Sequence, residues 1–462
     1  MEITQKEVGV FDAKYRALTI GIILAVTTVA FEGLALVTIA PTLAQKLDGL
    51  HLFGWIFSAF LLAQILGTMI IGQRINKNGV FASFGISILI FVIGIVIAAT
   101  SVNMIILIVG RVFQGFGAGA IITCVYYSIT LGYPDKLRTK ILAIFSGAYI
   151  LPALIGPYIA GLISEYLSWR FVFWLVLPFI GLAVMLTLPT FRKFTVRKNA
   201  ASKNSLKEGL ALLLAIGTGM LLAGLGFITH WKGIVLSVAG LLIMILPLLK
   251  LLPEGTLSAR RGLPATITSR GLFVACYNAT ESYVVLALTD VKKLPADLAG
   301  LIVAAGALSW STAAWLQSKL DARDHGKGRK KRVTIGIGFM IIGVTAVLLA
   351  VGIPEGGIVF AVISQLFTGF GIGLAHPTTG AIALQYAKAG EEGEISASLQ
   401  FTDAFSPGVS IGIGGAFIAL SQSLNFGLLK GIILALSLQL LFVLLSFTIS
   451  FRIKQAKASE GN

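Results

Sequence analysis

Long unbroken apolar runs alternate with short polar segments along almost the whole chain. A bilayer core takes about 20 apolar residues per helix. Runs of that length lie near 17–40, 54–72, 81–100, 104–129, 141–164 and 170–190. A polar linker, FRKFTVRKNAASKNSLKE, follows at 191–208, then two more runs near 209–229 and 233–252. A second linker, 253–270, contains Arg260 and Arg261. Six further runs follow near 271–289, 298–318, 334–352, 357–385, 396–420 and 427–450. The pattern predicts an all-α polytopic membrane protein of fourteen transmembrane spans. Residues 1–190 form an N-terminal six-helix bundle, 191–270 a linker with two extra central helices, and 271–462 a C-terminal six-helix bundle. The first 16 residues are polar and the run behind them exceeds 20 residues, so it reads as a first span rather than a cleavable leader. The short alternating segments of an outer-membrane barrel are not the pattern here.

Composition narrows the class further. The hydrophobic fraction is 56% and the charged fraction 12%, against roughly 25% charge in soluble domains. A soluble fold could not cover that much apolar surface, and disorder requires the opposite balance. The net charge of +16 is a topology signal. Of the 36 Lys and Arg, 29 fall in loops on the side of both termini. Six (Lys46, Arg170, Lys232, Lys292, Lys293 and Lys430) fall in the opposite loops, and Arg111 lies inside the fourth span. This bias places both termini in the cytoplasm. The basic run GKGRKKR (326–332) sits beside a helix end, where it fixes orientation and meets anionic headgroups, so no nucleic-acid partner is expected.

Several chemistries find no support. Cys124 and Cys276 lie inside apolar runs, and His51, His230, His325 and His376 are scattered, so neither a disulfide framework nor a metal site is expected. No Gly-rich loop ends in GK[ST], and no nucleophile arrangement stands out. No cofactor and no enzyme activity are predicted.

The chain also repeats itself. VFQGFGAG at 112–119 returns as LFTGFGIG at 366–373, 254 residues later, and the same offset lays Ala160-Gly161 on Gly414-Gly415. Two six-helix halves from an internal duplication, with a midplane site between them, are a common transporter plan.

Four motifs in order resemble the major facilitator superfamily, specifically its fourteen-span drug:proton antiporters, over nearly the whole chain. FEGLALVTIAP (31–41) carries an acid, Glu32, nine residues before Pro41. GQRINKNGV (72–80) matches the family's loop between spans two and three at Gly72, Lys77 and Gly79, but Asn76 stands where the family has Asp. GRVFQGFGAG matches the Arg–Gly pattern of span four at Arg111, Gln114, Gly115 and Gly119. Span five runs from Gly147 to Gly156, Pro157 and Gly161, resembling the motif associated with antiporters, with Ala160 replacing one glycine. In the family the span 2–3 loop pairs charges to latch one conformation, so Asn76 implies a weakened or rebuilt latch. Small residues at 147, 156 and 161 allow close helix approach, and Pro157 favours a kink, so this helix reads as a bending seam or as plain packing.

Ionisable groups inside spans are costly and default to a functional reading. Glu32, Arg111, Glu281, His376 and Asp403 stand out. Glu32 and Arg111 sit at similar depth in the first half, and His376 and Asp403 in the second. Tyr277 and Asn278 lie near Glu281, and Tyr126, Tyr127, Tyr149, Tyr158 and Tyr277 read either as cavity-lining aromatics or as aromatics that simply pack or sit at interfaces. Glu165, Asp290 and Asp135 fall at helix ends and read as solvated. A carboxylate in a low-dielectric site exchanges a proton for an approaching cation, which couples proton entry to cation exit. The alternative is a satisfied pair that only holds helices together. For Glu32 and Arg111, the resemblance implies coupling and substrate binding. The reading is a monomeric, proton-coupled exporter of amphipathic, often cationic, small molecules in the cytoplasmic membrane. A narrow-substrate transporter of a nutrient, siderophore or metabolite is the second reading, and a receptor or lipid-handling scaffold the third.

Overall fold

The computed structural model describes residues 9–194, 205–353, 357–387 and 392–455, and among them every regular element is a helix. Most of the 191–208 linker and the side chain of Asn76 lie outside the described residues. The first half contains α1 (Arg16–Lys46), α2 (Phe53–Ala99), α3 (Met104–Gly132), α4 (Asp135–Gly147), α5 (Ile150–Tyr166), α6 (Trp169–Trp174) and α7 (Val176–Phe191). The extra pair is α8 (Ser205–Gly226) and α9 (Trp231–Leu251). The second half contains α10 (Leu263–Leu286), α11 (Ala296–Asp324), α12 (Arg329–Gly352), α13 (Gly357–Leu384), α14 (Glu392–Ser423) and α15 (Leu428–Ser450). Among the described residues, thirteen helical stretches are long and apolar enough to cross a bilayer, and Ile150–Tyr166 is a shorter apolar helix.

Three features depart from the hydropathy pattern. The span expected at 141–164 is broken into α4 and α5 at Ala148-Tyr149. Pro152 explains the break. It has no N–H to give the Ala148 carbonyl, and its ring crowds that carbonyl, so it starts a new helix instead. Thr27 Oγ1 donates to the orphaned Ala148 oxygen at 3.1 Å. The break thus falls at the turn just after Gly147, while Pro157 stays inside α5. Second, residues 72–78 are helical rather than a loop, and spans two and three join into α2 with one non-helical residue, Gly79 (φ 78°, ψ 164°). That backbone suits glycine alone. Third, α10 begins at Leu263, not near 271. Gly262 (φ 96°) turns the chain and Pro264 occupies the first helical turn, the position where its missing N–H costs nothing.

Close helix contacts at glycine occur both among α1–α7 and among α10–α15. An added Cβ at Gly115 or Gly119 of α3 would strike the carbonyls of Phe60 and Gln64 on α2. One at Gly369 or Gly373 of α13 would strike those of Gly306 and Trp310 on α11. Glycine is needed at these points because helix backbones touch. The halves meet near the ends of their helices away from Gly9 and Gln455. Gly54 lies against Ile411 and Gly415, Gly300 against Pro157, and Gly161 against Ala296 and Asp297. Ser58 Oγ donates to the Gly408 carbonyl at 2.6 Å, and Gln45 Nε2 to Asp290 Oδ1 at 2.5 Å. Asp290, read as solvated, is thus part of the seam. The extra helices lie over one such junction, where Leu214, Met244 and Leu248 pack with Ile65 of α2 and Phe401 of α14.

Candidate functional site

Two polar clusters lie within the apolar bundle, one in each half. In the first, Glu32 of α1 and Arg111 of α3 are both buried, at 3% and 1% exposure. Arg111 Nη1 donates to Glu32 Oε1 and, at 2.8 Å, to Gln114 Oε1. Its Nε donates to the Ile56 carbonyl at 3.0 Å, and the guanidinium stacks 4.3 Å from the Phe60 ring centroid. The arginine is held through Nε, Nη1 and the face of its guanidinium, and Glu32 is an ion-paired carboxylate. Its Oε2 and Gln114 Nε2 are buried without a partner.

The second cluster joins α10, α13 and α14. Arg270 grips Asp403 through two bonds, Nε to Oδ1 at 2.8 Å and Nη2 to Oδ2 at 2.7 Å. A planar guanidinium suits this bidentate geometry. Its Nη1 donates to the His376 carbonyl at 2.7 Å and to Thr379 Oγ1 at 3.1 Å. His376 Nε2 lies 2.6 Å from Arg270 Nη2 and 3.2 Å from Asp403 Oδ2. The His376 ring meets the Trp310 ring at 5.8 Å, and Trp310 meets Tyr277 edge-on at 5.1 Å. Tyr277 Oη in turn lies 3.5 Å from Glu281 Oε1. A continuous line of side chains thus leads from Glu281 to Asp403.

The sequence pattern paired Glu32 with Arg111 and His376 with Asp403 by depth, and the structure brings each pair into contact. It missed Arg270, which had been assigned to the linker 253–270, so Arg111 is not the only basic residue inside a span. The signal was present. Gly262 followed by Pro264 marks a helix start, which puts Arg270 about two turns into the helix. Trp310 was also missed, because tryptophan in an apolar run carries no charge to flag it.

The three acids differ in what neutralises them. Glu32 has Arg111 and Asp403 has Arg270. Glu281 is buried at 5% exposure, and among the described residues no cation stands within ion-pair distance of it. Asn278 does not join this site, since its Nδ2 donates to Val274 of its own helix at 2.9 Å. Gly72 is half-buried and Lys77 exposed beside Gly79. Gly147 faces open space, Gly156 touches Phe31 in ordinary contact, and Pro157 and Gly161 lie at the seam with α11. Tyr126, Phe145 and Tyr149 pack on one another, and Tyr158 is exposed. Among the described residues, no group of three or more His, Cys, Asp or Glu is placed to hold a metal.

Comparison with known proteins agrees with this architecture. The model of the Major Facilitator Superfamily matches residues 20–411. The chain is 33% identical over 227 residues to the MFS-type transporter pydD of Acremonium sp., covering 48% of this chain and 40% of that protein. It is 28% identical over 193 residues to the multidrug efflux pump SdrM of Staphylococcus aureus (strain N315), covering 42% and 43%. The matched stretches thus span less than half the length of these curated relatives. Among solved structures, an auto-inhibited POT family peptide transporter superposes with a TM-score of 0.69 at 15% identity, over 96% of this chain and 99% of that one. A D-xylose-proton symporter does so with 0.65 at 14%, over 96% and 98%. At that identity they speak to the fold alone.

Proposed function

Because the chain belongs to the Major Facilitator Superfamily, and is therefore a membrane transporter rather than an enzyme, we propose that it is a proton-coupled exporter of amphipathic, often cationic, small molecules working by alternating access. The observation that carries this reading is Glu281, a buried carboxylate inside a membrane helix with no cation within ion-pair distance among the described residues. Such a group is poorly tolerated as a bare charge and well suited to exchange a proton for a cationic substrate. Glu32 and Asp403 are already occupied by arginines, which suits them to holding helices in register. Arg270 is saturated and Arg111 is ion-paired with Glu32, so both positive charges are already neutralised within the bundle. That favours cation export over uptake of an anionic nutrient. Similarity to a protein described as a multidrug efflux pump supports the same reading.

In this proposal the chain is a monomer of fourteen spans, with α4 and α5 as one broken span. Residues 1–190 and 271–462 are duplicated halves, and 191–270 supplies the extra pair. Both termini are cytoplasmic, as the Lys and Arg bias implies. The seam at the opposite ends of the helices then closes the outer side, and the structure is the inward-facing state. The test is expression in a drug-sensitive host with a panel of cationic dyes and antiseptics. Raised tolerance and dye efflux that collapses with an uncoupler are expected. Efflux unaffected by the uncoupler, or no change in tolerance to any compound, sinks the proposal.

A further inference from the structure

The loop between α9 and α10 borders two cavities that share a wall. One, of about 370 Å³, opens among Pro253, Glu254, Ser258 and Arg260. The other, of about 250 Å³, continues between α10, α14 and α15, against Leu272, Ala275, Phe401, Phe405 and Phe442. Leu248, Leu252, Thr256 and Leu257 border both. The groove follows α10 from Ile267 to Ala275, which is about 12 Å at helical rise. The Phe401 and Phe405 rings stack at 5.3 Å and 13°, forming a flat apolar wall. The loop is tethered over it by Thr268 Oγ1, which donates to the Thr256 carbonyl at 2.5 Å.

Charge at the mouth selects the occupant. Arg260 and Glu254 line the first cavity, and Lys250 and Arg261, each next in sequence to a lining residue, are also exposed. Glu254 lies 3.5 Å from Arg260, but both side chains are open to water, at 95% and 69% exposure. An exposed pair of this kind contributes little and is readily exchanged. A basic mouth at the helix ends leading into an apolar groove reproduces the polarity profile of one bilayer leaflet. A cationic amphiphile is disfavoured at such a mouth, and an anionic headgroup is drawn to it.

We infer that this groove binds an anionic phospholipid, with its acyl chain against Phe401 and Phe405 and its phosphate at Arg260 and Arg261. The site gives α9 and its loop a task beyond filling space. It also bears on the transport machinery. Gly271 packs on Thr402 and Ser406 along the groove, and the next residue on each helix, Arg270 and Asp403, forms the ion pair that ties α10 to α14. The leaflet rests on the proposed orientation, but the site itself does not.

The test is reconstitution of the full chain in mixed phosphatidylglycerol–phosphatidylcholine vesicles, with a photoactivatable group on the acyl chain of one lipid or the other. Labelled phosphatidylglycerol is expected to crosslink within 401–409 and 267–275, and labelled phosphatidylcholine to do so weakly. Arg260→Gln and Arg261→Gln should each lower that crosslinking about fivefold, and Arg260→Glu with Arg261→Glu should remove it. Circular dichroism and monodisperse elution check that the variants fold. Equal labelling by the two lipids, or crosslinking that ignores the arginine substitutions, overturns the inference, as does labelling of these segments by a cationic dye probe in place of lipid. Phosphatidylglycerol labelling that persists in a chain shown not to export cations leaves the lipid site standing and removes only the proposed function.

Discussion

Glu32 and Glu281 carry the same functional group on the first helix of each half, yet their surroundings assign them different work. Glu32 meets a guanidinium held by Gln114, the Ile56 carbonyl and the Phe60 ring. Removing one member of a buried pair strands the other charge, at about 3–5 kcal/mol. Glu32→Gln is therefore expected to lower the midpoint of thermal unfolding in detergent as well as impair transport. Among the described residues, the hydrogen bond to Glu281 comes from the Tyr277 hydroxyl, at 3.5 Å. Glu281→Gln keeps shape and hydrogen bonding but removes titration. It should leave the unfolding midpoint within a degree or two while proton-driven efflux of cations falls at least tenfold and that of neutral compounds much less. Equal losses of stability in both variants would show that Glu281 is a packed structural acid, with Asp403 the next candidate for coupling. The acids themselves were legible in the sequence because a carboxylate inside an apolar run is rare and visible. Which of them is neutralised was not, since Arg270 lies one residue before the span start that hydropathy alone places near 271, eight residues later than α10 begins.

Among the helices, existence was easier to read than continuity. Each apolar run becomes helix because the membrane leaves backbone groups no other partner. Where a helix breaks depends on single residues. Pro157 sits well inside α5 without ending it, whereas Pro152 in the first turn separates α5 from α4. Sequence reading singled out Pro157 because it completes a motif with Gly156 and Gly161, yet the helix-start rule favours Pro152. Gly79 shows the reverse, since one residue at positive φ does the work expected of a nine-residue loop. The glycines at 54, 300 and 415 set how closely the halves meet, and this closeness makes a prediction. A side chain at Gly415 would fall 2.7 Å from the Gly54 Cα, a backbone atom that cannot rotate away. Gly415→Leu should push α14 off α2 and destabilise the closed seam. In that background, a cysteine at Ser58, which now donates to Gly408, is expected to react with a soluble thiol reagent several-fold faster than Ser58→Cys alone. An unchanged rate would mean that the seam does not open at this point.

For the molecule as a whole, the distribution of positive charge and the distribution of inter-half contacts make one joint statement. The basic residues crowd the end that carries Gly9 and Gln455, and the glycine contacts between α1–α7 and α10–α15 lie toward the other end. Part of that positive charge is structurally engaged. Arg329 binds Asp321 through 2.6 and 2.8 Å bonds, and Arg332 binds Asp324 at 2.6 Å, clamping the turn between α11 and α12. Lys330 donates to the Phe451 carbonyl at 2.8 Å, while Lys327 and Lys331 stay available to anionic headgroups, and moving this run across a bilayer would be costly. If the basic end is cytoplasmic, single cysteines replacing Lys198 in the 191–208 linker and Lys327 in the α11–α12 turn should resist an impermeant thiol reagent applied to intact cells. A cysteine at Asn425, exposed between α14 and α15 at the opposite end, should react. The native Cys124 and Cys276 are buried and should contribute little background. Permeabilised cells should expose Lys198→Cys and Lys327→Cys fully. Labelling of both from outside, with Asn425→Cys protected, would invert the molecule. The closed seam would then face the cytoplasm, the structure would be the outward-facing state, and a cation would reach Glu281 from outside first.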